Sequence, residues 1–270
     1  MPFVSLLRRL FFRPDVVYSR YENQFQARTP AGRRFYLFMY LLPGLVVYAA
    51  INIPSLYEAG VRATGLTGRY YQYGWIAFIT FGWHMVLPFL ILRYHDKLSV
   101  RQTFEYLGMD RFDWRGCSYL QVIAFLLFTI LTLPYMAYLQ RPMYQWLDAA
   151  PLLRIPDYSI FKTAESLYGF PPVLLLLLFI GNFVGEELYF RGYLQKKTAF
   201  LGKHNVWVNG VLFAVYHLFQ IPQTWPLVIP SMVFPLLMAA RKNLYVVILF
   251  HLLVNLVWAP LIHFLLPFMP

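Results

Sequence analysis

The sequence has 270 residues, of which 59% are hydrophobic and only 13% are charged. This composition excludes an ordinary soluble domain, because soluble proteins carry about 25% charged residues. The net charge of +11 does not indicate nucleic-acid binding, since the basic residues cluster beside apolar runs, as at the inner ends of membrane spans. The single cysteine, Cys117, excludes an internal disulfide framework and a cysteine-rich metal site.

Residues 1–34 are predicted to form a basic cytoplasmic segment of the mature protein, because no apolar core of a cleavable signal follows its arginines. Phe3, Leu7 and Phe11 fall on one helical face and the arginines lie elsewhere. This amphipathic pattern is typical of a helix lying on an anionic membrane surface. A frayed basic tail explains the same residues equally well.

Residues 35–270 are predicted to form one all-α transmembrane bundle, since each crossing requires about 20 predominantly apolar residues. About seven helices are expected, within a range of six to eight. The apolar stretches are 35–53, 73–92, 117–139, 172–190, 206–220, 227–240 and 244–258. The last two are short for a full crossing, which favours tilted, re-entrant or internal helices.

The basic residues orient this bundle. Segments 1–34, 93–116, 191–204 and 241–243 hold 18 of the 23 Lys and Arg residues. The positive-inside rule therefore predicts a cytoplasmic N-terminus. The outer segment from Gln140 to Pro171 is long enough to fold over the outer end of the bundle.

One short interfacial helix is predicted between the second and third apolar stretches. Ser99 and Gln102 have the spacing of a capping box, and Gly108 marks the expected end of the helix.

Two adjacent glutamates follow the apolar run Leu174–Gly185. A charged side chain within a membrane span costs several kcal/mol unless it is paired or hydrated. Arg191 lies four residues after Glu187 on the same helical face, which predicts an ion pair. Glu186 is rotated by about 100° from Glu187, so it must face a different partner. A position at the membrane edge, in contact with water, is the alternative interpretation.

Two later apolar stretches carry the remaining polar candidates. His217 shares a helical face with Phe213, and His251 shares one with Asn255. Taken singly, these side chains are also explained as satisfied core residues or as interhelical hydrogen bonds. A helical rise of about 1.5 Å per residue places Glu186, His217 and His251 in the inner half of a ~30 Å apolar core. The three stretches are therefore predicted to meet in one polar pocket.

Small residues near these candidates are predicted to serve helix packing. Gly181 and Gly185 have small-xxx-small spacing before the glutamates, and Gly210 precedes His217 on its stretch. His84, in the second apolar stretch, has no acidic residue near it in sequence and is predicted to be a core or lipid-facing residue.

A pocket of this composition has the groups required for peptide hydrolysis. A carboxylate beside an imidazole can hold a water molecule and remove its proton. A second imidazole and an amide can donate hydrogen bonds to the oxyanion that forms when the water attacks a carbonyl carbon.

The ordered set of motifs resembles the three motifs of the CAAX protease and bacteriocin-processing family of intramembrane proteases, over residues 172–258. In this sequence they read Glu186-Glu187-xxx-Arg191, Phe213-xxx-His217 and His251-xxx-Asn255. The resemblance implies that Glu186 and His217 activate the water and that His251 and Asn255 form the oxyanion hole. It assigns a stabilising role to Glu187, Arg191 and Phe213.

The resemblance also implies the setting of the reaction. It points to a multi-pass protein of a prokaryotic plasma membrane, in contact with lipids. The implied substrate is a peptide or protein at the membrane, either delivered within it or modified by a lipid.

Two further questions stay open on the sequence alone. Zinc bound by Glu186, His217 and His251 is a second mechanism, but the chain has no His-Glu-x-x-His motif, and Asn255 suits an oxyanion hole better than zinc. A metal-free site without cofactor is therefore favoured. The main alternative to an enzyme is a non-catalytic peptide-binding, immunity or regulatory membrane protein. A transporter is disfavoured, because the sequence shows no inverted repeat.

Overall fold

A computed structural model describes residues 16–150, 154–162, 169–220 and 228–265. This described part is helical and contains no strand. Five of its helices are long and apolar enough, by length and composition, to cross a membrane. They are α2, α4, α6, α8 and α12 of the following list. The helices are α1 (Val16–Phe25), α2 (Pro30–Asn52), α3 (Pro54–Thr64), α4 (Gly68–His95), α5 (Val100–Leu107), α6 (Gly116–Leu139), α7 (Arg141–Ala149), α8 (Pro172–Lys197), α9 (Asn205–Tyr216), α10 (Val228–Ser231), α11 (Val233–Arg241) and α12 (Leu244–Leu265). The predicted all-α membrane bundle is confirmed.

Five of the seven predicted stretches correspond to these long helices. The stretch predicted to begin at residue 244 is longer than expected, since α12 extends to Leu265. The other two form shorter helices: α9 ends at Tyr216, and the stretch at 227–240 is divided into α10 and α11. The total of seven crossings and the cytoplasmic N-terminus stay predictions.

The first membrane helix begins at Pro30 and not at residue 35, because of a local cap. The Thr29 side chain accepts a hydrogen bond from the backbone of Gly32, and Pro30 occupies the first helical position. Before it, α1 is anchored by the buried rings of Tyr18 and Tyr21. The amphipathic face predicted from Phe3 to Phe11 lies outside the described residues.

Two predictions about the connecting segments are supported. The capping box of Ser99 and Gln102 is present at the start of α5, which ends at Gly108 in the left-handed conformation. In the segment predicted to lie outside, Gln72 of α4 donates to the carbonyl of Tyr158 and accepts from the amide of Ile160, so the described residues 154–162 pack against the bundle.

The helix α8 lies directly against α4 because glycines allow the backbones to approach. A Cβ atom added to Gly181 or Gly185 would overlap Thr80 of α4. Gly210 of α9 is likewise in close contact with Met232, ahead of α11. The predicted packing role of the three glycines is confirmed, and it fixes the depth at which α8 presents the residues that follow Gly185.

A buried polar network positions α9 against α8. The Thr198 hydroxyl donates to the Asn205 side chain at 2.9 Å, and Asn209 donates to the Asn205 carbonyl at 2.7 Å. Tyr40 of α2 donates to Asn209. Because buried polar groups are costly when unpaired, this network determines where α9 begins relative to the end of α8.

The helix α12 is held at both sides of its first turn. The Asn243 side chain caps α12 and donates to the Arg111 carbonyl at 2.6 Å. Gln121 of α6 donates to the carbonyl of Val246 at 2.6 Å. These contacts fix the position of α12 along its own axis. They therefore also fix the position of His251, two turns further along the helix.

Candidate active site

The two glutamates lie in the middle of α8, where the bundle excludes solvent most completely. Glu186 is 3% exposed and Glu187 is fully buried. The helix widens to π-helical turns on both sides of them, at Gly181–Gly185 and at Leu188–Leu194. Similar turns occur in α4, α6 and α12, so they do not distinguish this position by themselves.

Glu187 and Arg191 form the ion pair that their spacing predicts. Arg191 Nη1 lies 3.4 Å from Glu187 Oε1, and both side chains are buried. The guanidinium also lies over two aromatic rings, with its carbon 3.8 Å from the centre of Phe213 and 4.9 Å from that of Phe234. The charge is therefore compensated by a carboxylate on one side and by π faces on others.

Glu187 also reaches a residue on another helix. His251 Nδ1 of α12 lies 2.9 Å from Glu187 Oε1, although the angles do not fit a regular hydrogen bond. The carboxylate thus links α8 to α12 and leaves the second ring nitrogen of His251, Nε2, for other partners.

Glu186 faces His217, on a side of α8 different from that of Glu187. Glu186 Oε1 and His217 Nε2 are 4.0 Å apart, too far for a direct hydrogen bond. His217 Nδ1 lies 2.8 Å from the carbonyl oxygen of Phe213. Because a carbonyl can only accept, Nδ1 carries a proton, and in the neutral ring Nε2 is a free acceptor that faces Glu186.

One cavity of about 150 Å³ is lined by residues from all three motifs. Its walls include five of the seven predicted site residues: Glu186, Phe213, His217, His251 and Asn255. Asn255 is exposed at the cavity's edge, four residues after His251. Glu187 and Arg191, the other two, lie behind the wall and contact His251 and Phe213. The predicted pocket therefore exists as one space with room for several water molecules.

The cavity also contains polar side chains that the sequence motifs did not identify. Asn182, Gln220 and Ser231 line it beside the motif residues. Asn182 precedes Glu186 by four residues and Gln220 follows His217 by three, so helical spacing from the motif residues was an available signal. Ser231 had no such signal, because it lies on α10, outside all three motifs.

The residues of the cavity do not form a good zinc site. Among the described residues, no three His, Cys, Asp or Glu side chains are grouped as metal ligands. Two ligands of tetrahedral zinc, each about 2 Å from the metal, lie roughly 3.3 Å apart. Glu186 Oε1 and His217 Nε2 are 4.0 Å apart, which is wider than this spacing.

This part of the chain matches a known family. Residues 168–257 match the family model described as type II CAAX prenyl endopeptidase Rce1-like. No match was found among curated proteins or among solved structures. The matched segment contains the two glutamates, both histidines and Asn255, and it agrees with the resemblance seen in the motifs. The protein is an integral membrane protein, and its segment 168–257 is similar to the Rce1-like type II CAAX prenyl endopeptidases.

Proposed function

We propose that the protein is an intramembrane endopeptidase that hydrolyses a membrane-delivered or lipid-modified peptide without a metal ion. The observation that carries this proposal is the facing pair of Glu186 Oε1 and His217 Nε2, 4.0 Å apart in a cavity that His251 and Asn255 also line.

The first step is activation of water. An ionised carboxylate and a neutral imidazole nitrogen are both acceptors, so one water can donate a hydrogen bond to each. At about 2.8 Å from both atoms, such a water spans a separation of 4.0 Å. Its lone pair then points away from Glu186 and His217. Glu186 takes one proton as the oxygen attacks the carbonyl carbon of the peptide.

The second step is stabilisation of the oxyanion. His251 and Asn255 are one helical turn apart on α12 and line the same cavity as the water-binding pair. The Nε2–H of His251, in the form that carries a proton on both ring nitrogens, and the amide N–H of Asn255 are suitable donors to the oxygen that becomes negative. The Glu187 carboxylate, 2.9 Å from Nδ1, compensates the positive charge of this form of His251. The C–N bond then breaks, and the proton held by Glu186 passes to the leaving amine.

The surroundings of the cavity favour a substrate that arrives through the membrane. A larger, almost entirely apolar groove of about 650 Å³ lies between α4 and α8. Asn182 lines both this groove and the catalytic cavity, and Phe183, also in the groove, packs against His251. An apolar part of the substrate bound in the groove would therefore lie next to the reacting groups.

The proposal is tested by hydrolysis with the purified protein in phospholipid vesicles. The probe is a fluorescence-quenched peptide that ends in a farnesylated cysteine and three further residues, incubated in ¹⁸O-labelled water. We expect two products whose masses add up to the peptide plus one water, with the label in the new carboxylate. A peptide that binds to the reconstituted protein but stays intact would instead support the alternative of a non-catalytic binding protein.

A further inference from the structure

His84, on α4, is a buried polar residue that the proposed mechanism does not use. It is fully buried, and neither ring nitrogen has a hydrogen-bond partner among the described residues. It lies against α8 immediately before the glutamates, since a Cβ on Gly185 would be 3.5 Å from that of His84. A buried polar group without a hydrogen-bond partner destabilises the fold, so such groups usually have a bound water or a functional role.

Tyr216 is a second such residue, and it contacts His84. The centres of the two rings are 5.3 Å apart, and the Tyr216 hydroxyl is also buried without a partner in the described part of the chain. Tyr216 directly precedes His217 and packs on its ring at 4.6 Å. The two unpaired residues thus lie behind the two residues that face the hydrolytic water.

A chain of contacts connects the same four residues. His84 lies against Gly185 and Tyr216, Tyr216 contacts His217, and His217 faces Glu186 at 4.0 Å. A buried water requires two to four polar partners, and His84 with Tyr216 supplies a donor and acceptor pair beside Gly185 and His217. The polar atoms of His84 and Tyr216 therefore suit one bound water better than an apolar contact.

We propose that His84 and Tyr216 are positioning residues, which hold Glu186 in its reactive orientation through one buried water. The proposal rests on the proposed function, because it assigns the water's third hydrogen bond to the catalytic carboxylate. His84 does not touch the substrate, so its loss should lower kcat and leave KM unchanged.

The competing explanation is that His84 is only an aromatic filler. Its ring stacks on Tyr189 at 4.9 Å and meets the edge of Phe190 at 5.2 Å. Two substitutions separate these roles, because His84→Phe keeps an aromatic ring without polar atoms and His84→Gln keeps polar atoms without a ring.

The experiment measures kcat and KM of the vesicle-reconstituted variants with the farnesylated peptide. We expect His84→Phe and Tyr216→Phe each to lower kcat by about 10-fold at unchanged KM, and His84→Gln to stay within about threefold of the native protein. Tyr106→Phe is the matched control, since it removes an equally buried phenol that bonds to Tyr193. Full activity of His84→Phe, or loss with His84→Gln alone, would overturn the proposal.

A structure that resolves ordered waters provides the second measurement. A water in contact with His84, Tyr216 and Glu186 supports the proposal even if the native protein does not cleave the peptide, in which case only the proposed function fails with this substrate. Direct packing of the three side chains without such a water would overturn the positioning role.

Discussion

The substitution Glu187→Gln tests whether the ion pair behind the site is truly desolvated. Glu187 is fully buried, Arg191 is 1% exposed, and Nη1 is 3.4 Å from Oε1. Removing one partner of a buried pair costs about 3–5 kcal/mol, because the other charge stays buried without compensation. Contacts of the guanidinium with Phe213 and Phe234 still stabilise the charge, each by about 1–2 kcal/mol. The lower end, about 3 kcal/mol, is therefore expected.

The same chain offers a matched control for this substitution. Glu58 and Arg62 have the same spacing and the same residue types, 3.7 Å apart, but their side chains are 63% and 72% exposed. Exposed pairs contribute at most about 1 kcal/mol, so Glu58→Gln should change stability very little. The contrast between the two sites isolates the effect of burial from the effect of the i,i+4 geometry.

The assay is thermal unfolding of detergent-solubilised protein that elutes as a monodisperse peak in size exclusion. A loss of 3 kcal/mol corresponds to a decrease in Tm of roughly 6–12 °C for a chain of this size. Adding Arg191→Met to Glu187→Gln should recover at least half of that decrease, since no buried charge is then left over. Equal decreases at Glu187 and Glu58 would refute the reasoning.

Three further predictions concern packing, metal and topology. Gly185→Ala should destabilise the fold by at least ~1 kcal/mol, because its Cβ would overlap the α4 backbone, whereas Gly74→Ala, which meets nothing within 4 Å, should not; equal Tm values of the two variants would contradict this. Prolonged chelation should leave peptide cleavage unchanged and the protein free of stoichiometric zinc, and activity lost with chelator but restored by zinc would establish metal-ion catalysis. In a Cys117→Ser background, a cysteine at the exposed Lys203 should label only from the cytoplasm and one at the exposed Asp157 only from outside; labelling of both from one side would overturn the orientation.

The long helices were predictable because few other structures bury twenty apolar residues in a row. The start of α2 is missed by apolar composition alone, although Thr29 followed by Pro30 is a sequence signal for the first residues of a helix. The division of the stretch at 227–240 into α10 and α11 also has no signal in its apolar composition.

Within the site, sequence spacing predicts contacts along one helix and misses contacts between helices. The pair of Glu187 and Arg191 follows from i,i+4 geometry, and the structure contains it. The approach of Glu187 to His251 could not be predicted, because it depends on how α8 and α12 pack. For His84 the predicted core position is confirmed, but its contact with Tyr216 of α9 becomes visible only in the folded chain.

Glu186→Gln is the most direct test of the central claim, that a carboxylate facing His217 activates the hydrolytic water. The variant keeps the size of the side chain and removes the base. The measurement is cleavage of the farnesylated peptide per folded molecule, with Glu58→Gln as the control for a lost surface carboxylate. The account predicts a decrease of at least ~10²-fold for Glu186→Gln, at a Tm close to that of the native protein. Turnover equal to that of the native protein would contradict the general-base role of Glu186.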